Sequence, residues 1–378
     1  AGPKAERRRI RALSLPAPDG SAATDPCDVL VTSYDLLRID IHDWVGERFF
    51  LCALDEAQYV KNPAALVTRA VKRVEAEHRF ALTGTPMENR LSELWSIFDF
   101  LMPGLLGPYA RFRERFELPI VGGDEDIARR LQALVGPFML RRLKTQVLSD
   151  LPEKLESVVY APMTGEQLKL YSAHEQRLRE ELTRQKSDKA AKYGGRKSGM
   201  SDAEFNKSKV QILAELTRLR QLCCDPRLLY ENYKGPAAKL DAICDLVDSA
   251  MGGGEKALVF SQFTSFLSLI ADKLDAAGVR YFTITGATPK EERLELVNRF
   301  NADDTPVFLI SLKAGGTGLN LTGASVVIHA DPWWNAAAQD QATDRAHRIG
   351  QTHVVSVERV IAKGTIEERI LALQEAKS

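Results

Sequence analysis

Five short apolar runs punctuate the last third of the chain: KALVFS (256–261), VRYFTIT (279–285), PVFLIS (306–311), SVVIHA (325–330) and VVSVERVI (354–361). They read as strand candidates. Helical stretches separate them, and a strand–helix–strand rhythm predicts a parallel sheet clothed by helices. The same rhythm appears near the start. DVLVTSY (28–34) and FFLCALDEA (49–57) read as buried parallel strands, and RFALTGTP (79–86) as a strand ending in a turn. The fold class is therefore α/β, with two parallel-sheet units.

Residues 91–235 differ in character, being charged and helical with few strand candidates. Helix starts are legible at several points. Asn62-Pro63 predicts an N-cap followed by Pro at the first helical position. Thr164 with Gln167, and Thr365 with Glu368, fit capping boxes, and Thr288-Pro289-Lys290-Glu291 is a further start. The last helix should bury Ile366, Ile370 and Leu373 on one face. Residues 1–26, basic and then rich in Pro, Gly, Ser and Ala, read as an exposed segment. Between 184 and 209 stand eight Lys/Arg against three Asp/Glu, read as a solvated loop between helices or as a contact to DNA phosphates. The expected division is 1–90, 91–235 and 236–378.

Charge excludes little, since Lys+Arg and Asp+Glu are equal at 51 each. The five cysteines make no CxxC pair and no zinc-like spacing, which predicts reduced thiols. No apolar run reaches the roughly 18–20 residues of a membrane span and the first residues lack a signal-peptide core. An intracellular, soluble protein without a membrane partner is expected.

Three segments carry chemistry. LCALDEAQ (51–58) ends an apolar strand in Asp55-Glu56, placing two carboxylates at the carboxyl edge of a parallel sheet, where such folds bind ligands. In a nucleoside triphosphatase the first carboxylate holds magnesium and the second activates the attacking water. Read alone, the tetrapeptide also fits a strand end with solvated acids. DQATDRAHRIGQ (340–351) spaces Gln341, Arg345 and Arg348 four and three apart, which on a helix gives one face. Two guanidiniums there suit phosphoryl transfer, though arginines so spaced also serve as surface ion-pair partners. SLKAGGTGLNLTGAS (311–325) offers Gly315, Gly316 and Gly318 for close approach of backbone amides to an anion, with Lys313, Asn320 and Thr322 as polar contacts.

The order DEAQ, LTGTPMENRLSELWSIFDFL, PFMLRRLKTQVLSDLPEK, LVFSQF, AGGTGLNLT, DPWWNAAAQDQATDRAHRIGQ resembles the Swi/Snf-type branch of superfamily-two helicase-like ATPases over roughly residues 28–375. The resemblance implies two RecA-like lobes, the first incomplete and lying in 1–90, helical protrusions in 91–235, and the second lobe in 236–378. It implies ATP and Mg2+ as cofactors, double-stranded DNA as track, and DNA-bound protein complexes or RNA polymerase as objects of translocation. Asp55 then resembles the magnesium-binding residue, acting through water, and Glu56 the water-activating one. Gln58 replaces a His found in many relatives. Thr83, Gly84 and Thr85 resemble the segment coupling nucleotide state to DNA grip. Thr32, Ser33, Ser261, Gln262, Ser311, Lys313, Asn320 and Thr322 resemble DNA contacts, and Trp333 and Trp334 a pair near the DNA channel or packed in the core. Gly316, Gly318 and Gln341 resemble nucleotide contacts, while Arg345 and Arg348 resemble arginine fingers. Asn335-Ala336 departs from the usual Asn-Pro, a change expected to be minor.

One departure is large. A phosphate loop needs G-x-x-x-x-G-K-[ST], and no Gly-Lys dipeptide occurs in the 378 residues. Since relatives carry that loop upstream of a segment like DVLVTSYDLL, the chain reads as a piece of a longer motor, with a degenerate homologue as the alternative. Alone it is expected to be deficient in hydrolysis. A nucleotide-independent module that binds DNA or protein is the rival reading.

Overall fold

The computed structural model describes residues 2–14, 27–84, 87, 90–142, 146, 148, 150–193, 202–315 and 318–376, with 13, 184–193, 202–209 and 315 described by backbone alone. The chain divides into two compact units, Ala1–Arg142 and Leu143–Ser378. The helices of 91–235 are thus shared between the units.

The first unit carries α1 (Lys4–Ser14), α2 (Tyr34–Asp40), β1 (Arg48–Leu54), α3 (Leu66–Lys72), β2 (Glu75–Ala81), α4 (Leu91–Leu101) and α5 (Glu125–Val135). β1 and β2 pair in parallel, with Arg48 opposite Glu75 and Leu54 opposite Ala81. Leu37, Leu54, Val60, Val71, Ile97 and Phe100 form the core beneath them. α4 also serves a second cluster, where Leu94 and Phe98 meet Phe112, Phe116, Leu131 and Val135. This double use explains why its apolar residues are spread over more than one face.

Several expectations fail here. Asp28–Ser33 forms no strand among the described residues, and Val29 and Val31 are exposed. The described sheet of this unit has only β1 and β2, and with Val29 and Val31 in solvent the segment has no apolar layer to pack its alternate residues against. For the same reason β1 is not buried, since Phe50, Leu51 and Phe80 are exposed. Asn62 forms a local turn by accepting from Ala64 N (3.0 Å), and α3 begins only at Leu66. The exposed N-terminal segment is helical over Lys4–Ser14, and its Arg7 pairs with the buried Asp40 (2.6 Å). Residues 15–26 lie outside the described ones.

The second unit contains β3 (Lys154–Ala161), α6 (Gly165–Tyr193), α7 (Asp202–Cys224), α8 (Ala238–Gly252), β4 (Ala257–Ser261), α9 (Thr264–Ala276), β5 (Tyr281–Ile284), α10 (Lys290–Ala302), β6 (Val307–Ser311), β7 (Val326–His329), α11 (Ala336–Thr343), β8 (Val355–Ala362) and α12 (Ile366–Glu375). All five apolar runs are strands. Their sheet, in order β3-β8-β7-β4-β6-β5, is parallel throughout. Alternate residues of the central strands β4, β6 and β7 feed opposite layers, which is why those runs are continuous. Val259, Leu309 and Ile328 meet Ile243, Val247, Phe266 and Ile270, whereas Leu258, Phe260, Phe308 and Val327 meet Val297 and Phe300. β3 is the strand that the charged 91–235 stretch concealed, its polar KLES masking an edge position.

The basic stretch is helical up to Tyr193 and again from Asp202, and its centre, 194–201, lies outside the described residues. Gln167 is buried, donating to Leu222 O (2.9 Å) and accepting from Ala238 N (3.3 Å), so its amide joins three segments. At α12 Thr365 Oγ1 accepts from Glu367 N (3.2 Å) and Glu368 accepts from Gly364 N (3.0 Å). The buried face there is Glu367, Ile370, Leu371 and Gln374, with Leu373 exposed. All five cysteines are free thiols.

Candidate functional site

In the first unit the candidate residues gather where β1 ends. Leu54 is the last ladder residue, Asp55 is exposed, and Glu56 has a left-handed backbone (φ +51°). It is the one described non-glycine residue with positive φ, a conformation that carries strain and recurs at functional turns. Asp55 Oδ1 accepts from Glu56 N (3.0 Å), and Tyr34 donates to Asp55 O (2.7 Å). Burial followed by the nearby Asp55 charge raises the Tyr34 phenol above its ordinary range, so it remains a donor. Gln58 Nε2 donates to Glu56 Oε2 (2.6 Å), and Thr83 Oγ1 donates to Gln58 Oε1 (2.8 Å). One amide therefore ties the second carboxylate to the turn after β2. A side chain at Gly84 would meet open space, and Thr85 lies outside the described residues. Thr32 and Ser33 are exposed, and Ser33 caps α2 through Leu36 N (3.3 Å).

Asp55 leaves an exposed carboxylate with one oxygen engaged by a backbone amide. That donor set fits magnesium, which binds through one or two carboxylates and keeps water and phosphate oxygens as its other ligands. Among the described residues no group of three or more His, Cys, Asp or Glu could hold a metal. A protein-only cage is thus not what these residues offer.

In the second unit the chain runs from β4 to β5 and β6 on one side of the sheet, then to β7 and β8 on the other. The switch point lies outside the carboxyl ends of β4 and β7, where ligands bind in such sheets. Ser261 ends β4 there, Gln262 follows it, and Asp331 follows β7. Asp331 is fully buried, and it accepts from the Ser261 hydroxyl and from Gln262 N (3.2 Å). Ser261 is itself fully buried and anchors this turn. Arg220 of α7 lies 3.6 Å from Asp331, donates to Pro332 O, and stacks over Trp334 (5.6 Å) and Phe263 (5.7 Å). Lys239 of α8, also fully buried, donates to Ala330 O (2.7 Å) and pairs with Glu367 (2.8 Å). Burial raises the Asp331 and Glu367 carboxyls, with Lys239 opposing it.

The tryptophans divide. Trp333 is half-buried against the core, whereas Trp334 is exposed. Asn335 accepts from Ala337 N (3.1 Å) as the cap of α11, a role indifferent to Ala or Pro at position 336. Ser311 is buried at the end of β6, while Lys313 and Asn320 are exposed and Thr322 is half-buried. Gly318 has φ +58°, a conformation that favours glycine, and Gly316 lies outside the described residues.

Gln341 lies on α11, but that helix stops at Thr343, and Arg345 and Arg348 occupy turns. The single helical face expected for the three is absent. The chain tightens after Thr343, with Arg345 N donating to Ala342 O (3.1 Å) and Ala346 N to Thr343 O (3.0 Å), and Arg345 O then accepts from Leu321 N (2.9 Å) of the glycine-rich loop. Arg348 Nη1 donates to Leu319 O (3.4 Å), and His347 Nε2 lies 2.7 Å from Pro152 O.

Sequence reasoning missed Arg220, Lys239, Asp331, Gln351 and Glu367 as organisers of this edge. A signal existed for two of them. Lys239 stands four and eight residues before Ile243 and Val247, and Glu367 three and four before Ile370 and Leu371, each a charge on an apolar stripe.

The comparisons with known proteins agree with the motif order. Residues 20–228 match the SNF2-related domain and residues 238–350 the helicase conserved C-terminal domain. YwqA of Bacillus subtilis, which its name gives as an ATP-dependent helicase/translocase, is 39% identical over 95% of this chain and 38% of its own length. The TATA-binding protein-associated factor mot1 of Schizosaccharomyces pombe is 36% identical over 100% of this chain and 21% of its own. The Sulfolobus solfataricus SWI2/SNF2 ATPase core solved with dsDNA is 34% identical, covering 94% of this chain and 73% of that one, with a TM-score of 0.48. The chain spans little more than a third of the first of these curated relatives and less of the other.

Proposed function

Since this chain belongs to the SNF2-related family, we propose that it handles nucleotide and DNA in an ATP-driven motor that moves along double-stranded DNA and acts on complexes bound there. The observation that carries the reading is the acidic turn, where Glu56 is held in a strained backbone and joined through Gln58 to Thr83. A solvated strand end needs no such link. The link supports a path from the carboxylate that orients water to the segment that alters DNA grip. Asp55 would hold magnesium, whose chemistry when bound is to neutralise phosphate charge. Arg345 and Arg348 stabilise negative charge gathering on the transferred phosphoryl group, and Glu56 accepts the proton of the attacking water. Gln262, Lys313, Asn320 and Trp334 contact the duplex by phosphate and sugar, which gives little sequence preference.

The name of YwqA supports the ATP dependence and the translocation, and that of mot1, a TATA-binding protein-associated factor, supports a DNA-binding protein as the object. RNA polymerase is a further object such a motor can displace, separable by pull-down of its subunits. One observation favours the rival, nucleotide-independent reading for these residues alone: they contain no Gly-Lys dipeptide to grip phosphates. Phosphate release is the discriminating assay. The 378 residues should bind duplex DNA in a salt-dependent way and release no appreciable phosphate. A form of the protein that includes a phosphate loop should hydrolyse ATP when duplex is added. Robust turnover by the 378 residues overturns the need for the loop, and lack of DNA stimulation in the longer form overturns the motor.

A further inference from the structure

We propose that Gln351 is a positioning residue for the arginine turn, fastening it to the glycine-rich loop so that Arg345 and Arg348 meet the nucleotide as one rigid unit. The inference rests on the nucleotide role proposed above for those arginines. Gln351 is 5% exposed, and its side-chain amide is fully engaged. Nε2 donates to Thr322 O (3.2 Å), Ala324 O (2.8 Å) and Ala346 O (3.1 Å). Oε1 accepts from Thr352 N and His353 N (2.9 Å each). The nitrogen side thus holds the tail of the loop and the turn between the two arginines, whereas the oxygen side opens the approach to β8.

Two further bonds run between the same partners, from Leu321 N to Arg345 O and from Arg348 Nη1 to Leu319 O. Both need the loop and the turn in fixed register. No helix supplies that register, because α11 has already ended. An irregular turn keeps its shape only where its backbone groups find partners, and one buried amide supplies them for three segments. Misplacing a charge-stabilising group by about 1 Å costs on the order of 100-fold in rate. The effect should therefore fall on the chemical step.

The chemistry separates the two sides of the amide. Gln351→Glu keeps an oxygen acceptor for Thr352 N and His353 N but removes every bond to the loop and the turn. The test measures DNA-stimulated ATP turnover in a form of the protein with a phosphate loop, together with hydrogen exchange at Leu321 N in the 378 residues. Q351A and Q351E should both lower kcat about 10- to 100-fold with KM for ATP within about twofold, and should speed exchange at Leu321. T352A, an exposed neighbour whose backbone amide is retained, should change neither. Q351A added to R345A should lower kcat little beyond R345A alone, since the two act as a unit. Rescue of kcat by Q351E assigns Gln351 to β8 only and overturns the inference, as does slow exchange at Leu321 in Q351A. Full activity of R345A overturns the function of the arginines themselves, and the inference with it. Should either Gln351 variant fail to fold, the other together with the exchange measurement carries the test.

Discussion

Lys239 and Glu367 show how single residues hold this carboxyl edge together. Both are fully buried, 2.8 Å apart, and each has a second bond, to Ala330 O and from Ala362 N (2.8 Å). Truncating one partner of such a pair strands the other charge in a dry interior and costs about 3–5 kcal/mol. Urea unfolding of the second unit should therefore register Lys239→Met at that size, with Glu367→Leu added to it recovering part of the loss. A loss below about 1 kcal/mol for Lys239→Met contradicts the assignment. The convergence was illegible in the sequence because the partners are 128 residues apart. Asp55 and Glu56 were legible, since a strand end with two acids advertises itself locally. The left-handed backbone of Glu56 did not, because φ > 0 at a glutamate leaves no compositional trace.

At the scale of elements, strands covered on both faces declared themselves and irregular turns did not. KALVFS, PVFLIS and SVVIHA could be read because their apolar residues meet one of two apolar layers. The arginine turn misled because spacing of four and three gives one face only while the helix lasts, and this one tightens into turns after Thr343, before either arginine. DVLVTSY misled because an apolar run is buried as a strand only where a layer covers it, and Val29 and Val31 stand in solvent. β7 carries a buried titratable group, His329, whose Nε2 lies 2.9 Å from Thr343 Oγ1. Burial, then the Arg359 charge, lowers its pKa from 6.5 to about 3. Above pH 6.5 the ring is neutral folded or unfolded, and its contribution is intact. As pH falls below 6.5 the unfolded chain takes a proton that the native ring refuses until about pH 3. Stability should drop by about 2 kcal/mol between pH 7 and 5 on this account alone. His329→Gln should flatten that slope in urea titrations, and an unchanged slope removes His329 as its source.

For the molecule as a whole, composition was silent, with charges balanced at 51 each. Among the described residues no helix is long and apolar enough to cross a membrane. What identified the family was the order of motifs, each weak alone, over most of the chain, and both family matches follow that order. Packing draws 91–142 into one compact unit and 143–235 into the other. The central proposal is that Glu56 and Arg345 each act in ATP hydrolysis by the proposed motor. It is tested most directly by steady-state ATP turnover with duplex DNA, in a form with a phosphate loop, for Glu56→Gln, Arg345→Ala and the double variant. Each single change should lower kcat on the order of 1,000-fold, and the double should fall little further than the worse single. Near-normal turnover in either single variant would contradict it.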